Sequence, residues 1–437
     1  MTALANFNFG YLVITLIILF MFSGMPIAFA LGVTAAVAIF LDPGVVPTII
    51  GVIPFGGTNN YLLVAAVLFM VTGELMNYGD IARRLIDFAS SLVGHIRGGL
   101  AHVNIVTSLF FAGISGTATA DAAAIGSVMI PQMSIRGFPV NFSAAVTATS
   151  ATLSIIVPPS LNLILYAYVA ETSIAQLFIA GILPGVLVCV ALLMTTYLIA
   201  LKQGFPIEHQ FAWGRVVDTG KQALLPLVIP IIVLGGLLGG VFTATEAGAM
   251  AALAALIIAG LIYRNVQWPQ LVDVMRISGQ RTAMLMFIVA TSSLLGWYLT
   301  RQRIPQQIAE GILNVSENYW VVLLLINLFF LLAGTIIHGT PAILLLVPIF
   351  MPLIRQLGID PVHFGLIVTL NLGIGQQTPP VASVVLITCA VAKIPMRAIL
   401  KPLSYFLAAM LACLVIVNLF PELSLWLPRL LLPGRAS

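Results

Sequence analysis

Long apolar runs alternate with short polar or glycine- and proline-rich turns along almost the whole chain, as is typical of membrane-spanning helices. In the first half the runs cover residues 7–22, 26–41, 61–78, 139–170 and 174–201. In the second half they cover residues 224–238, 246–263, 282–299, 361–392 and 399–420. The pattern predicts an all-α polytopic membrane protein with ten spanning segments. A polar stretch at 202–221 divides them, and we interpret it as an amphipathic interfacial connector.

The two halves repeat one another. Pro158-Pro159 recurs 221 positions later as Pro379-Pro380, and Ala112-Gly113 recurs at the same shift as Ala333-Gly334. This period is half the chain, far longer than the 20–50 residues of a solenoid. We therefore predict two structural repeats, at 1–201 and 222–437, with the connector at 202–221 between them.

Each half contains two interrupted segments. At about 98–135 and 319–355, two apolar runs meet at a small tip, and at about 139–170 and 361–392 a run is broken by a polar patch and Pro-Pro. The 16 residues at 98–113 would be roughly 24 Å long as a helix, which is short for a span. We therefore predict two re-entrant helical hairpins and two broken helices. Paired interruptions of this kind indicate a transporter binding site.

Composition supports a membrane protein without a soluble domain. The chain is 60% hydrophobic and 7% charged, whereas a soluble protein carries about 25% charged residues. The net charge of +4 reflects basic loops, so nucleic-acid binding is not expected. Cys189, Cys389 and Cys413 lie in apolar runs, which predicts buried, inert thiols. The N-terminus has neither a basic region nor an A-x-A site, so no cleaved signal peptide is expected.

Orientation follows from the basic residues of short loops. Counting spans places most of them on one side, the cytoplasm, including Arg83, Arg84 and the cluster at 393–401. The count makes the two halves inverted repeats, with hairpin one entering from the cytoplasm, hairpin two from outside, and both termini outside. Three residues fall on the other side, namely Arg301, Arg303 and Arg355.

The interrupted segments contain almost no formal charge, and Asp121 is the single exception within 98–135, 138–170, 318–354 and 361–392. Such a core offers hydroxyls, amides and helix ends, which suit Na⁺ and an anion together. The Na⁺ candidates are Ser115, Gly116, Thr149, Ser150 and Thr152 for one site, and Gly334, Thr335, Gly373, Gly375 and Thr378 for the other. The substrate candidates are Thr117, Asp121, Asn162, His338, Gln376 and Gln377. This pattern favours cation-coupled transport of an organic anion.

Several of these residues have a structural alternative. Ser115 and Thr117 would cap the second helix of hairpin one, and Asp121 would stabilise its first turn. Thr243-x-x-Glu246 has the spacing of a capping box, with ion coupling as the alternative. Glu74 lies inside a predicted span and needs a polar partner or a function.

An enzyme is the alternative from another functional class. Gly113-Ile-Ser-Gly116 resembles the GxSG of rhomboid intramembrane proteases, and His338 is a potential partner of Ser115. However, the position equivalent to Ser115 in the second repeat is Ile336, and a protease has no need of two broken-helix units. We therefore expect no catalytic residues.

Six stretches of the sequence resemble the large membrane subunit of tripartite ATP-independent periplasmic (TRAP) transporters, the DctM-like family. They are AGISGTATADAAAIGSVMIPQM, SATLSIIVPPS, GGVFTATEAGAMAA, LGIDPVHFG, NLGIGQQTPPV and GELMNYGDIARRLIDFASSLVGHIRGGLAHVN. The match follows family order over essentially the whole chain. One departure is His338, which replaces an acidic residue common in the family, and another is the polar pair Gln376-Gln377.

The resemblance implies an elevator-type member of the ion-transporter superfamily in a bacterial inner membrane. It implies Na⁺-driven uptake of an organic acid, with Na⁺ as the coupling ion and no other cofactor. It also implies two separate partners besides the lipid bilayer: a small four-helix membrane subunit (Q type) and a periplasmic substrate-binding protein (P type). The alternative is a stand-alone Na⁺/dicarboxylate symporter of the same superfamily.

Overall fold

The computed structural model describes residues 9–78 and 81–432, and every regular element in these ranges is a helix. The two chain ends, predicted to face outside, lie beyond the described residues. The first half contains α1 (Phe9–Phe22), α2 (Ile27–Leu41), α3 (Ile49–Thr58), α4 (Tyr61–Tyr78), α5 (Ile81–Val93), α6 (Gly99–Ser115), α7 (Ala118–Ile135), α8 (Val140–Ser150), α9 (Leu153–Ile156), α10 (Leu161–Ala170) and α11 (Ile174–Gln203). The second half contains α12 (Trp213–Leu238), α13 (Ala244–Leu256, continued by a π-helical turn, Ile257–Ile262), α14 (Trp268–Arg301), α15 (Ile304–Val315), α16 (Tyr319–Ile336), α17 (Gly339–Gln356), α18 (Pro361–Gly375), α19 (Ser383–Ala392), α20 (Met396–Leu419) and α21 (Glu422–Leu431).

The predicted polytopic all-α fold is confirmed, although the helices that are long enough to span differ from the ten expected. Within the described residues, eight helices are long and apolar enough to cross a membrane, and α8–α10 form a further span with a 42° bend. The eight include both arms of hairpin two, which have 18 residues each. In contrast, α2 has only 15 residues, roughly 22 Å as a helix. Apolar run length therefore does not separate spans from hairpin arms.

Glycine and proline produce the interruptions. α6 ends because Gly116 adopts a left-handed conformation (φ +65°), and the extended residue Thr117 precedes α7. In the broken helices, Pro158-Pro159 and Pro379-Pro380 lie between helical pieces, and both of these peptide bonds are cis. Proline has no N–H for the helical ladder, so the helix cannot continue through either pair.

The hairpins and broken helices pack together in a reciprocal pattern. The first arm of each hairpin lies against the broken helix of its own half, α6 on α8 and α9 and α16 on α18. The second arm also reaches the other half, so α7 packs on α19 as well as on α8, and α17 packs on α10 as well as on α18. This exchange is the arrangement expected of two copies related by a twofold axis. We call these elements, α6–α10 and α16–α19, the hairpin unit.

A second group of helices packs beside the hairpin unit, with contacts of α4 on α6 and α10 and of α14 on α17. α14 packs on α2, α3 and α4, while α13 packs on α4 and α12. We call this group, α1–α4 and α12–α14, the scaffold. The single helix α14 corresponds to α3 and α4 together, which are separated at residues 59–60.

The segment after α11 closes the base of hairpin one. Gly98 N donates to Pro206 O (3.1 Å), and Glu208 N donates to Gly94 O (3.0 Å). Arg136, just after α7, forms an ion pair with Glu208 at 3.0 Å. Residues 204–212 are irregular, but α12 begins at Trp213. The second part of the predicted connector is therefore helical and continuous with the following span.

Candidate functional site

A cavity of about 480 Å³ lies between the two hairpin tips and the scaffold. Thr117 and Thr119 line it from the tip of hairpin one, and His338 and Thr340 line it from the tip of hairpin two. Thr117 precedes α7 and His338 precedes α17, so the N-termini of both second arms open onto this central cavity. Its scaffold wall is formed by α2, α4 and α14 and includes Ile27, Met70, Gly73, Glu74, Asn77, Arg281, Met284, Leu285 and Ile288.

Two further cavities lie beside the second arms of the two hairpins, and we name them after the sides that the count of spans gives those arms. The inner cleft, about 740 Å³, lies between α7 and α5 and is lined by Arg83, Asp87, Ala123 and Ser127. The outer cleft, about 680 Å³, lies beside α17 and is lined by Leu344 and Pro348. Leu344 and Pro348 are 221 positions after Ala123 and Ser127, so the two clefts lie beside equivalent positions of the second hairpin arms. The inner cleft shares Asn77, Ala120, Ala123 and Arg281 with the central cavity, whereas the outer cleft shares none of the described lining residues with it.

The tip of hairpin one docks on the second part of its broken helix. Gly116 O accepts a hydrogen bond from Leu161 N at 3.2 Å. A Cβ added to Gly116 would lie 3.2 Å from Pro159 O, so only glycine fits without displacing backbone. Ser115 ends α6 immediately before this contact, and its side chain lies outside the described structure.

The other groups predicted for the first Na⁺ site lie deeper in the hairpin unit. Ser150 accepts from Ser108 at 2.9 Å, two turns before the tip. Thr149 donates to Ala145 O at 2.9 Å, and Thr149, Ser150 and Thr152 are fully buried. The structure therefore brings Gly116 to the residues after Pro158, and brings Ser150 to the middle of α6.

The second predicted Na⁺ site forms a tighter group. A Cβ on Gly375 would lie 2.6 Å from Gly334 Cα, so these two backbones are in direct contact. Thr335 O accepts from Val381 N at 3.3 Å, and Thr378 Oγ1 donates to Ile374 O at 2.9 Å. Hairpin two thus docks on the end of α18 and on the segment that follows it.

The two broken helices meet at their interruptions. Gln377 Nε2 donates to Thr152 Oγ1, and a Cβ on Gly373 would lie 2.6 Å from the Thr152 methyl carbon. Gly373 is therefore placed against the first repeat, while Gly375 is placed against hairpin two. This contact joins candidates that the sequence assigned to two different sites.

The substrate candidates fall into three groups. Thr117 and His338 line the central cavity. Asn162 and Gln376 lie behind the tip of hairpin two, where a Cβ on Gly339 would be 3.0 and 2.9 Å from their side-chain nitrogens. Asp121 and Gln377 are fully buried, and Asp121 Oδ2 accepts from Ser154 Oγ at 2.6 Å inside the hairpin unit.

Sequence reasoning missed Arg281 as a cavity residue. It forms an ion pair with Glu74, which supplies the polar partner that Glu74 required. The predicted span began at residue 282, but α14 begins at Trp268, so Arg281 lies within a long helix rather than in a loop. Glu74 could have pointed to Arg281, because a carboxylate inside a membrane span needs a positively charged partner nearby.

Two structural interpretations from the sequence are confirmed. Thr243 and Glu246 form a complete capping box at the start of α13. Cys189, Cys389 and Cys413 are buried and free.

Comparison with known proteins decides the family. A sequence profile described as "Tripartite ATP-independent periplasmic transporter, DctM component" matches residues 14–423. The chain belongs to the DctM family. It is 37% identical over 412 residues to the sialic acid TRAP transporter large permease protein SiaM of Vibrio cholerae, covering 94% of this chain and 96% of that protein. It is 38% identical over 375 residues to the C4-dicarboxylate TRAP transporter large permease protein DctM of Pseudomonas aeruginosa, covering 86% and 88%.

The fold recurs in a distant solved structure. The YdaH transporter of Alcanivorax borkumensis superposes with a TM-score of 0.63 at 13% identity, covering 86% of this chain and 87% of that one. Membership of the DctM family makes the chain a multi-pass permease subunit of the bacterial inner membrane, not an enzyme. TRAP permeases of this family work with a small membrane subunit and a periplasmic binding protein. The stand-alone symporter and the rhomboid-like protease are thereby set aside.

Proposed function

We propose that this subunit carries an organic acid, a carboxylate or sugar acid, into the cell and that Na⁺ drives the uptake. The observation that carries the proposal is the central cavity, onto which the N-termini of α7 and α17 open. Each helix N-terminus contributes about half a positive charge, which favours an anion. Relatives named for sialic acid and C4-dicarboxylates give the range of acids to be tested.

The Na⁺ sites are proposed where the two hairpins meet the broken helices of their own halves. The candidates for the first are Ser115 and Gly116 at the tip of hairpin one and Thr149, Ser150 and Thr152 deeper in the hairpin unit, and those for the second are Gly334, Thr335, Gly373, Gly375 and Thr378. The hydroxyls of Thr149, Thr335 and Thr378 each donate their proton to a backbone carbonyl three or four residues earlier in the chain. Their oxygen lone pairs are thereby left to act as ligands for a hard cation.

The motion proposed is of the elevator type. The hairpin unit interlocks through the crossed packing of α7 on α19 and α17 on α10, which suits movement as one body against the scaffold. The clefts beside the second hairpin arms supply room for that movement. In this scheme, a P-type binding protein delivers the acid outside and a Q-type four-helix subunit packs with the scaffold.

Reconstitution tests the proposed function. Proteoliposomes containing this subunit and its small membrane partner should take up succinate or N-acetylneuraminate only with an inward Na⁺ gradient and the substrate-loaded binding protein. Omitting either the gradient or the binding protein should abolish uptake. Full uptake on a proton gradient without Na⁺ would refute the coupling.

A further inference from the structure

The ion pair in the wall of the central cavity is unequally exposed. Glu74 on α4 bonds through Oε1 to one terminal nitrogen of Arg281 on α14. The Glu74 side chain is 6% exposed, whereas the Arg281 side chain is 49% exposed. A guanidinium group presents five N–H donors in a planar fork. Glu74 bonds to one nitrogen of the guanidinium group. The rest of the Arg281 side chain is exposed beside the cavities that Arg281 lines.

Arg281 occupies the junction of two cavities. It lines both the central cavity and the inner cleft, together with Asn77, Ala120 and Ala123. Among the described residues that line the central cavity, it is the one with a permanent positive charge. An anion that moves between the tips and the inner cleft moves along a wall that contains this guanidinium.

The repeat shows that the outer side lacks the equivalent group. The position 221 residues before Arg281 is Asn60, which lines the outer cleft, and the position 221 residues after Glu74 is Leu295. The Asn60 side chain accepts a hydrogen bond from Leu62 N at 2.9 Å. The two clefts therefore differ in charge at this position. Of the two, only the path from the central cavity through the inner cleft, which we call the inner route, passes a guanidinium group of the described residues.

We propose that Arg281 is a substrate-contacting residue of the inner route, which receives a carboxylate of the transported anion. The inference rests on the proposed function in taking the substrate to be an organic acid carried between the tips. The planar fork fits a carboxylate through two parallel hydrogen bonds, which a lysine cannot reproduce. Arg281 belongs to the scaffold, whereas the tips that hold the anion belong to the hairpin unit. If the hairpin unit moves against the scaffold, the anion contacts Arg281 in only one of its two positions. Glu74 competes for the same fork and therefore limits how tightly the anion is held.

Direct binding tests this assignment. The complex of large and small subunits is placed in lipid nanodiscs without the binding protein, and the affinities for succinate and N-acetylneuraminate are measured by calorimetry. Arg281→Gln should weaken binding roughly tenfold to a hundredfold, the range for hydrogen bonds to a charged group. The affinity of the Arg281→Lys variant should lie between those of the Arg281→Gln variant and the wild type. Arg276→Gln removes an exposed arginine of the same helix, paired with Asp273, and should leave affinity unchanged.

A variant of Glu74 distinguishes a substrate-binding role of Arg281 from a purely structural role of the ion pair. Under the proposal, Glu74→Gln removes the competing negative charge, so it weakens the hold of position 74 on the fork and tightens carboxylate binding, opposite in direction to Arg281→Gln. If the pair only joins α4 to α14, both single variants should lower the melting temperature and weaken binding, and the double variant should restore both. That result would overturn the proposal, as would a wild-type complex that binds neither acid. Failure of the proposed function is recognised separately, as absence of Na⁺-driven, binding-protein-dependent uptake by the wild type.

Discussion

At the scale of single residues, threonines of hairpin two and of its broken helix hold their hydroxyl oxygens in fixed positions. Thr378 donates to Ile374 O, and Thr335 donates to Leu332 O at 2.8 Å. A hydroxyl whose proton is already donated can only accept or coordinate. This hydrogen bond orients the oxygen so that its lone pairs can coordinate a cation. Because other threonines of the chain make the same hydrogen bond, the bond alone does not identify a Na⁺ ligand.

Replacing Thr378 with alanine should raise the Na⁺ concentration needed for half-maximal uptake, because one ligand oxygen is removed. Thr195→Ala is the matched control, since Thr195 on α11 donates to Ala191 O at 2.8 Å in the same way but lies outside both proposed sites. Each variant loses one side-chain hydrogen bond to the carbonyl four residues earlier, which costs about 1 kcal/mol of stability. Na⁺ titration of uptake beside detergent melting distinguishes the roles. If both variants need the same Na⁺ concentration for half-maximal uptake, Thr378 is not a Na⁺ ligand.

Residue type and position in the sequence predicted two of the residues that line the central cavity, and their role in substrate binding stays a prediction. Thr117 and His338 were predicted from their places at hairpin tips, and both line the central cavity. The contact of Gln377 with Thr152 was not predictable, because it joins residues 225 positions apart through the relative placement of two broken helices. Arg281 was missed because apolar run length marks the lipid-facing part of a helix and does not report how far the helix continues beyond it.

At the scale of elements, hairpin two depends on a close contact between two glycine backbones. Gly334 and Gly375 face one another without intervening side chains. The sequence predicted this hairpin and its broken helix because glycine, proline and repeat position combine there. It did not predict the amphipathic helices α5 and α15, which precede the two hairpins, because their polar faces interrupt the apolar pattern used to find spans.

Replacing Gly375 with alanine should prevent hairpin two from docking. The added Cβ would lie 2.6 Å from Gly334 Cα and from Gly334 C, and neither backbone atom can rotate away. Overpacking of this kind costs about 1–3 kcal/mol or more, so we expect a lower melting temperature and loss of uptake. Gly311→Ala on α15 has open space around the new methyl group and should be neutral or stabilising by up to about 1 kcal/mol. Normal uptake by the Gly375 variant would contradict the described docking.

At the scale of the whole molecule, the inner and outer clefts differ in their connection to the central cavity. Only the inner cleft shares described lining residues with it, and that cleft lies beside Arg83 near the base of hairpin one. The basic loops assign this side to the cytoplasm. On that assignment, the structure is open inwards. Of the basic residues that fall outside on the count, Arg301 donates to Gly44 O at 2.5 Å and so has a structural partner on that side.

Cysteine accessibility tests this orientation and the open direction together. Ser127 on α7 lines the inner cleft, and Glu317 lies exposed between α15 and α16 on the side assigned to the periplasm. In cells with a permeable outer membrane, an impermeant thiol reagent should label Glu317→Cys and leave Ser127→Cys unmodified. In inside-out vesicles the pattern should reverse, because the inner cleft then faces the reagent. The three native cysteines are buried, so their background labelling should be low. Labelling of Ser127→Cys from outside in whole cells would invert the assignment and place the arginine-lined route on the periplasmic face.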